Sequence, residues 1–403
     1  MTGTTDWDLV VVGAGPAGSC AALAALTTGL TTAPHLRVLL LDRADFPRDK
    51  SCGDGIAPHV LDALARVGAA DVVDGWTPLS HLELARGEVS VSGPMTREVH
   101  VVPRTVFDAR LVDHAVAAGA VLQRRRVRSV EVRADRVVLD GELSARVVVG
   151  ADGAHSVLRP TLLGQEQRLR AIAIRGYAPT AEAWRGRQVI RYGPRPQPAY
   201  AWAFDRGDGW SNVGYGELLP GPERGAGPSR ALLLDQLEAL LPGSVPDGKD
   251  WKGHHLPLSG WNWRQPDGPM LLVGDAAALV NPMTGEGIYY AVATGIAAGR
   301  AAARCLAEGE PGRAGAVHRR AVRGLLGRHL KHTWAAARLA RVPAVVDAGI
   351  RAAGRDRHAF DSLVELGLGD GRIGPRLAVG LARELIRPSG PDHEESHVDP
   401  VRP

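Results

Sequence analysis

The sequence predicts an α/β fold with an inserted antiparallel β-sheet domain and a set of C-terminal helices. Three observations along the 403 residues predict it. Near the N-terminus, an apolar strand pattern runs into a glycine-rich turn and a helix of small residues. Short alternating segments broken by glycine and proline fill the middle of the chain, and helical patterns continue from about residue 312.

The N-terminal segment is typical of a strand, a glycine turn and a helix. The apolar run 9–12 suits a central parallel strand and leads directly into the glycines. Gly13 permits the tight turn, Gly15 lets the backbone approach a pyrophosphate, and Gly18 allows close packing of helix on strand. Asp42 ends the next strand, at the spacing where a carboxylate bonds a ribose hydroxyl. We therefore predict a Rossmann-like dinucleotide-binding domain.

The segments that follow continue this domain. The run "PRTVFDARLVDHAVAAGA" predicts a helix with Arg104 at its start and Asp108 on its polar side. Residues 127–153 predict a strand, a turn and two more strands. Further along, "GPMLLVGDAA" predicts another parallel strand, which precedes the long helix "GIYYAVATGIAAGRAAARCLA".

The pattern changes between about residues 172 and 263, where short alternating segments hold most of the tryptophans. We predict an antiparallel sheet domain inserted into the nucleotide-binding domain. The predicted limits are 1–80, 101–171 and 264–311 for the discontinuous nucleotide-binding domain, 81–100 and 172–263 for the sheet domain, 312–387 for the helical region and 388–403 for a disordered tail.

Composition and charge exclude several functional classes. Cys20, Cys52 and Cys305 have no cysteine or histidine neighbours at metal-ligand spacing, so we predict neither a metal site nor a disulfide framework. Three isolated thiols suit a reducing cytoplasm. The net charge of +4 comes with no aromatic-and-basic motif, which argues against a nucleic-acid partner. No apolar run is long enough to span a bilayer, although peripheral membrane association stays open.

Two later motifs also follow predicted strands. "VVVGADGAHSVLR" places Asp152 after one strand, and "LLVGDAAALVNPMTGEGI" places Asp275 after another. Gly285 and Gly287 leave backbone room at the start of the long helix, whose N-terminus can face an anion. We interpret Glu286, between these glycines, as a capping or hydrogen-bonding residue rather than an acid catalyst.

Together these motifs resemble the FAD-dependent oxidoreductases of the group that includes para-hydroxybenzoate hydroxylase. Within that group, "FPRDKSCGDGIAP" and "NPMTGEGIYYAVATG" resemble the geranylgeranyl reductase family, which saturates double bonds of prenyl chains. The resemblance implies an FAD-binding domain and an external electron donor such as NAD(P)H that binds without a second Rossmann domain. It implies FAD contacts from Gly13, Gly15, Gly18, Asp42, Arg43, Cys52, Gly53, Gly55, Arg104, Val127, Asp275, Gly285, Gly287 and Ile288.

The family also has a YxWxFP signature in its sheet domain, where aromatic residues line an apolar channel. Tyr200, Trp202 and Phe204 match its aromatic positions, whereas Asp205 replaces the proline. Alternate residues of a strand share one face, so these rings form either a substrate wall or ordinary core packing. We predict that they contact the substrate together with Tyr215.

The expected activity is reduction of carbon–carbon double bonds in an isoprenoid or similarly apolar small molecule, in a bacterial protein. Cys52 and Asp54 are the candidate catalytic residues as proton donors, with Tyr215 a further candidate. Whether Cys52 donates a proton or is simply small enough to lie beside a flavin stays open.

The alternatives are an FAD-dependent monooxygenase, halogenase or dehydrogenase, and a non-catalytic flavoprotein. Halogenases use a lysine near the substrate and have a WxWxIP signature. "WNWRQP" at residues 261–266 matches only the first half of that signature.

Overall fold

The computed structural model describes residues 5–32, 35–164, 170–219, 227–386 and 396–397. Sixteen strands lie within these ranges. They are β1 (Thr5–Val12), β2 (Val38–Asp42), β3 (Gly55–Ile56), β4 (Pro78–Arg86), β5 (Val89–Val101), β6 (Val121–Arg124), β7 (Val130–Val132), β8 (Val137–Leu139), β9 (Leu143–Gly150), β10 (Arg170–Pro179), β11 (Arg187–Tyr192), β12 (Ala199–Asp205), β13 (Trp210–Leu218), β14 (Lys249–Pro257), β15 (Met270–Leu272) and β16 (Ser396–His397).

Ten α-helices connect or cover these strands in the same described ranges. They are α1 (Pro16–Thr32), α2 (Pro58–Ala65), α3 (Arg104–Ala117), α4 (Leu158–Leu163), α5 (Arg230–Leu240), α6 (Ile288–Ala307), α7 (Ala314–Leu339), α8 (Pro343–Arg355), α9 (Arg357–Leu368) and α10 (Pro375–Ile386).

The first sheet confirms the predicted nucleotide-binding architecture. Its order is β6-β2-β1-β9-β8-β7, and β15 pairs with β9. The strands β6, β2, β1, β9 and β15 are parallel, whereas β7 and β8 form an antiparallel extension. Residues 9–12, 38–41 and 147–149 of the central strands are apolar and buried, and helices α1 and α6 pack against these strands. Small residues bring α6 close to α1, since a Cβ on Gly295 would lie 2.2 Å from the Ala17 carbonyl oxygen.

The second sheet is the predicted inserted domain, with the order β14-β10-β13-β12-β11-β4-β5-β16 and with β3 paired to β5. Most neighbours are antiparallel, although β4 runs parallel to β11. Helix α5 covers one face. The opposite face borders a large cavity, which the carboxyl ends of the first sheet also reach.

The C-terminal helices close the far side of this cavity. Helices α8 and α9 pack on the sheet near β5, and α10 packs on α8. Within the residues described, no helix combines the length and apolar character that crossing a membrane requires. The tail predicted to be disordered, 388–403, lies outside the described residues except for 396–397, which pair with β5.

Candidate active site

The first part of the site is the glycine turn between β1 and α1. Gly13 has a φ of +102°, and a Cβ there would lie 2.3 Å from the Ala151 carbonyl oxygen. A Cβ on Gly18 would lie 1.7 Å from the carbonyl oxygen of Gly13, so the helix can start here only with glycine. The N–H groups at the start of α1 therefore lie at the carboxyl edge of the parallel sheet, where dinucleotide phosphates bind.

Two guanidinium groups lie above this turn. A Cβ on Gly15 would lie 3.3 Å from Arg48 and 4.0 Å from Arg104. Arg104 is 3% exposed and donates to Asp108 at 2.6 and 2.8 Å, and Arg48 lies 3.1 Å from the same carboxylate. Asp108 is fully buried, which corrects its expected place on the polar side of α3. Arg48 was missed because its position depends on how the loop after β2 folds back.

The end of β2 supplies a second polar group. Asp42 accepts from the backbone N–H of Ala14 at 2.9 Å and from that of Ala44 at 3.0 Å. The neighbouring Arg43 side chain is exposed. Val127 is buried in the chain that follows β6, the strand that pairs with β2. Three of the expected FAD contacts, Asp42, Arg43 and Val127, thus lie at or near the end of β2.

Asp275 follows β15 and faces the loop that contains Cys52. It accepts from the Lys50 ammonium at 3.0 Å. Burial opposes its ionisation, but Lys50, His254 and Arg104 together hold the pKa of Asp275 below its usual value, with Lys50 acting most strongly of the three. His254 lines the cavity nearby, and burial lowers its pKa to about 4. Its Nε2 is buried without a hydrogen-bond partner among the residues described.

The next group of site residues lies at the start of α6. Gly285, Gly287 and Ile288 line the cavity, as expected for residues beside a flavin. Glu286 lines it too, and its Oε1 accepts from the backbone N–H of Tyr289 at 2.9 Å, so it caps α6. Burial raises the pKa of Glu286 to about 7.

These groups fit FAD. The cations above Gly15 suit a pyrophosphate, and the Asp42 carboxylate suits a ribose hydroxyl. Asp275 and the unpartnered Nε2 of His254 offer further hydrogen bonds along the cavity. Bound FAD would therefore run from the end of β2 to the Cys52 loop, which we define as residues 50–55.

Asn212 fastens the Cys52 loop to the inserted sheet. Its Nδ2 donates to the Cys52 carbonyl oxygen at 2.9 Å, and its Oδ1 accepts from Trp202 Nε1 at 2.9 Å. A Cβ on Gly53 would lie 3.4 Å from the Phe204 ring. The loop therefore packs directly against the aromatic strand. Sequence reasoning missed Asn212, because nothing in the sequence links it to a residue 160 positions earlier.

Cys52 and Arg104 both line the cavity. Burial raises the pKa of the Cys52 thiol, while the adjacent Arg104 guanidinium acts in the opposite direction. The thiol consequently keeps its proton at neutral pH. A cation beside it would stabilise the thiolate left after proton donation.

The structure does not bring Asp54 to the cavity, which corrects its expected role as a proton donor to the substrate. Its backbone is left-handed, with a φ of +60°, and the carboxylate is fully buried within the inserted sheet. It accepts from Tyr177 at 2.6 Å and from Asn212 at 2.8 Å. Asp54 instead holds the Cys52 loop against the inserted sheet through these two hydrogen bonds.

Tyr200, Trp202 and Phe204 share one face as the strand alternation predicts, and Tyr192 of β11, which the sequence prediction did not include, joins them in an aromatic wall. We define it as Tyr192, Tyr200, Trp202 and Phe204, which all line the cavity. Successive ring centroids lie 5.8, 6.0 and 6.4 Å apart, so the rings form a continuous row.

The prediction that Tyr215 contacts the substrate is wrong. Tyr215 is opposite Ala201 in the β12–β13 register and shares its face of the sheet. That face packs under α5, away from the aromatic wall. Tyr215 is fully buried and donates to Glu217 at 3.0 Å.

The burial of Asp54 predicts a pH-dependent stability. Burial raises its pKa from 3.8 to about 6, so between about pH 4 and pH 6 the folded state binds more protons than the unfolded state. Stability contributed by the protonated carboxyl is therefore lost as pH rises through this window. Asp54→Asn should remove up to about 3 kcal/mol of this pH dependence. Urea unfolding of the FAD-free protein at several pH values measures it, and equal pH slopes in both proteins would contradict the assignment.

Comparisons with known proteins agree with this geometry. A family model described as an FAD binding domain matches residues 6–197. A menaquinone reductase of Mycolicibacterium smegmatis is 34% identical over 326 residues, covering 72% of this chain and 75% of that protein. A digeranylgeranylglycerophospholipid reductase of Methanopyrus kandleri is also 34% identical over 326 residues, covering 75% of this chain and 82% of that protein.

A solved structure has the same fold over almost the whole chain. A geranylgeranyl bacteriochlorophyll reductase-like protein from Thermoplasma acidophilum superposes with a TM-score of 0.76 at 18% identity. The match covers 95% of this chain and 97% of that one. With the glycine turn, the Asp275 motif and the inserted sheet all in place, this chain belongs to the geranylgeranyl reductase family of FAD-dependent oxidoreductases.

Proposed function

We propose that the protein uses reduced FAD to saturate isolated carbon–carbon double bonds of an isoprenoid or similarly apolar substrate. The cavity supports this most directly. It adjoins the FAD-binding residues, runs along the aromatic wall and continues between apolar side chains of α7 to α10. A long hydrocarbon chain would be buried along this path. The names of the relatives, which include menaquinone and digeranylgeranylglycerophospholipid reductases, agree with such a substrate.

When bound, FAD supplies a hydride to one alkene carbon after its own reduction by NAD(P)H or another external donor. An isolated alkene has no carbonyl group for the protein to polarise, so proton transfer to one carbon runs ahead of hydride transfer, and positive charge develops on the carbon that receives the hydride. The ring faces of Tyr200, Trp202 and Phe204 stabilise a cation while excluding water. The aromatic wall therefore stabilises the developing cation as well as binding the hydrocarbon chain.

The proton for the second alkene carbon comes from Cys52 Sγ. Its S–H bond breaks as the new C–H bond forms, and the electron pair stays on sulfur as a thiolate. Arg104, beside the thiol, stabilises this thiolate until solvent returns a proton. Asn212 and Asp54 hold the loop in place by their hydrogen bonds and transfer no proton to the substrate.

An oxygen-dependent reaction, such as halogenation or hydroxylation, has less support than alkene reduction. A halogenase would need a lysine directed at the substrate, but Lys50 donates to Asp275. Hydroxylation or halogenation is nevertheless a defined outcome of the test below.

The test is an anaerobic single turnover. Photoreduced holoenzyme is mixed with a prenyl diphosphate or a prenylated quinone, and flavin absorbance is followed beside mass spectrometry of the product. We expect flavin reoxidation that requires the alkene and a product with two added hydrogen atoms per reduced bond. Reoxidation only after oxygen is admitted, with a hydroxylated or halogenated product, would refute the reductase.

A further inference from the structure

Three acidic side chains line the cavity within the described residues, and Glu286 differs from the other two. Asp275 accepts from the Lys50 ammonium at 3.0 Å. Glu217 accepts from the Arg195 guanidinium at 2.7 Å. Glu286 forms no ion pair with any residue that the structure describes, and its Oε1 accepts from a backbone N–H at the start of α6 at 2.9 Å. Its charge is therefore held by backbone dipoles and not by a cation.

Glu286 lies between the Asp275 motif and the aromatic wall. A Cβ on Gly287 would lie 3.6 Å from Asp275 Oδ1. On the other side, a Cβ on Gly285 would lie 3.8 Å from the Tyr200 hydroxyl. Both glycines are among the residues expected to contact FAD. The carboxyl group of Glu286 thus lies where the FAD-binding residues meet the proposed substrate wall.

The groups that act on Glu286 leave no unpaired cation beside it. The ionisable side chains that interact with it are Arg104 of α3, Asp275 after β15, Cys52 of the Cys52 loop, Tyr200 of β12 and Tyr290 of α6. Burial raises the pKa of the thiol and of both phenols, so these three are neutral at pH 7. Arg104 is already paired with Asp108, and Asp275 with Lys50.

Reduction of FAD by two electrons and one proton adds one negative charge to its ring system. The N-terminus of α6 favours an anion, but the Glu286 carboxylate already accepts from an N–H group there. Two negative charges that share one site do not both persist, because repulsion raises the pKa of one of them. Burial already raises the pKa of Glu286 to about 7, whereas that of His254, which also lines the cavity, is lowered to about 4. Glu286 therefore needs the smaller shift to bind a proton at neutral pH.

We propose that Glu286 binds a proton from solvent when bound FAD is reduced and releases it when the flavin is reoxidised. Two electrons and one proton from the external donor reduce the flavin. A second proton converts the Glu286 carboxylate into a carboxylic acid, so the net charge of the site does not change. This coupling depends on FAD binding alone and goes beyond the proposed function, since it requires no alkene.

The pH dependence of the flavin midpoint potential tests the proposal in the holoenzyme without substrate. Each proton bound per two electrons shifts the potential by about 30 mV for a tenfold change in proton concentration. Above about pH 7 the wild type should bind two protons per two electrons, which gives about 60 mV per pH unit. Glu286→Gln keeps the shape of the side chain and an oxygen acceptor for α6, and it should bind only one proton.

Two control variants identify the group that binds the proton. Glu308→Gln changes a glutamate at the other end of α6 that pairs with Arg304 at 2.8 Å outside the cavity, and it should behave like the wild type. His254→Gln should do the same. Two protons in Glu286→Gln, or one proton in the wild type at every pH, would overturn the proposal. Loss of the second proton only in His254→Gln would assign it to the histidine instead.

Infrared spectra give a second readout that needs no variant. Reduction of the wild-type holoenzyme at pH 8 should produce the C=O band of a protonated carboxyl group, and the absence of such a band would also refute proton uptake by Glu286. Because neither measurement includes an alkene, a protein that reduces no prenyl substrate can still show this coupling. In that case the proposed function fails and the coupling stands.

Discussion

Cys52→Ala is expected to lower kcat for alkene reduction by about 10²- to 10⁴-fold, the range that a positioned general acid contributes. The thiol lines the cavity beside Arg104, and burial keeps it protonated at neutral pH. Alanine removes the proton and leaves the loop backbone able to keep its hydrogen bond with Asn212. FAD binding should therefore persist, which flavin absorbance checks while single-turnover kinetics measure the hydride and proton steps.

Two further variants define the role of the thiol. Cys52→Ser keeps a small group with a proton and should retain more activity than the alanine variant. Cys305→Ala removes a buried thiol outside the cavity and should leave kcat unchanged. If Cys52→Ala turns over at the wild-type rate with FAD bound, the cysteine is there for its size alone.

Arg104→Met is expected to weaken FAD binding by about 10²-fold and to lower the free energy of unfolding by about 3 kcal/mol. The binding loss follows from removing one of two cations above Gly15. The stability loss follows because Asp108 is fully buried and would keep only Arg48 as a charged partner. Fluorescence titration with FAD and urea unfolding of the FAD-free protein measure the two effects.

A double variant separates binding from folding. Arg104→Met combined with Asp108→Leu removes the buried charge and should recover most of the stability. Its FAD affinity should stay low, because the cation above the turn is still absent. Wild-type FAD affinity in this double variant would show that Arg104 only stabilises α3.

The flavin-binding part could be predicted from sequence because its constraints are local. Gly13 and Gly18 are required by backbone contacts within a single turn, and Asp42 ends a strand whose pattern is visible in the sequence. Strand alternation likewise placed Trp202 and Phe204 on one face. Which face borders the cavity was not visible, nor was the register that turns Tyr215 the other way.

The polar interior was the least predictable part. Asp108 has the sequence context of a surface helix residue, yet it is buried because Arg48 and Arg104 converge on it from a loop and from its own helix. Asp54 was expected at the substrate, but its left-handed backbone and two donors from the sheet turn it inward. In each case at least one partner lies on an element that only folding brings near.

The fold class, the glycine turn, the carboxylate at the end of β2 and the row formed by Tyr200, Trp202 and Phe204 follow from the amino-acid sequence, since each depends on spacing within one or two elements. Which groups share the cavity depends instead on how distant segments pack together. Folding places Cys52 beside Arg104, turns Asp54 and Tyr215 away from the cavity, and extends the cavity between the apolar side chains of α7 to α10. The physical reason is that burial and charge pairing depend on segments far apart in the chain, such as Cys52 and Asn212.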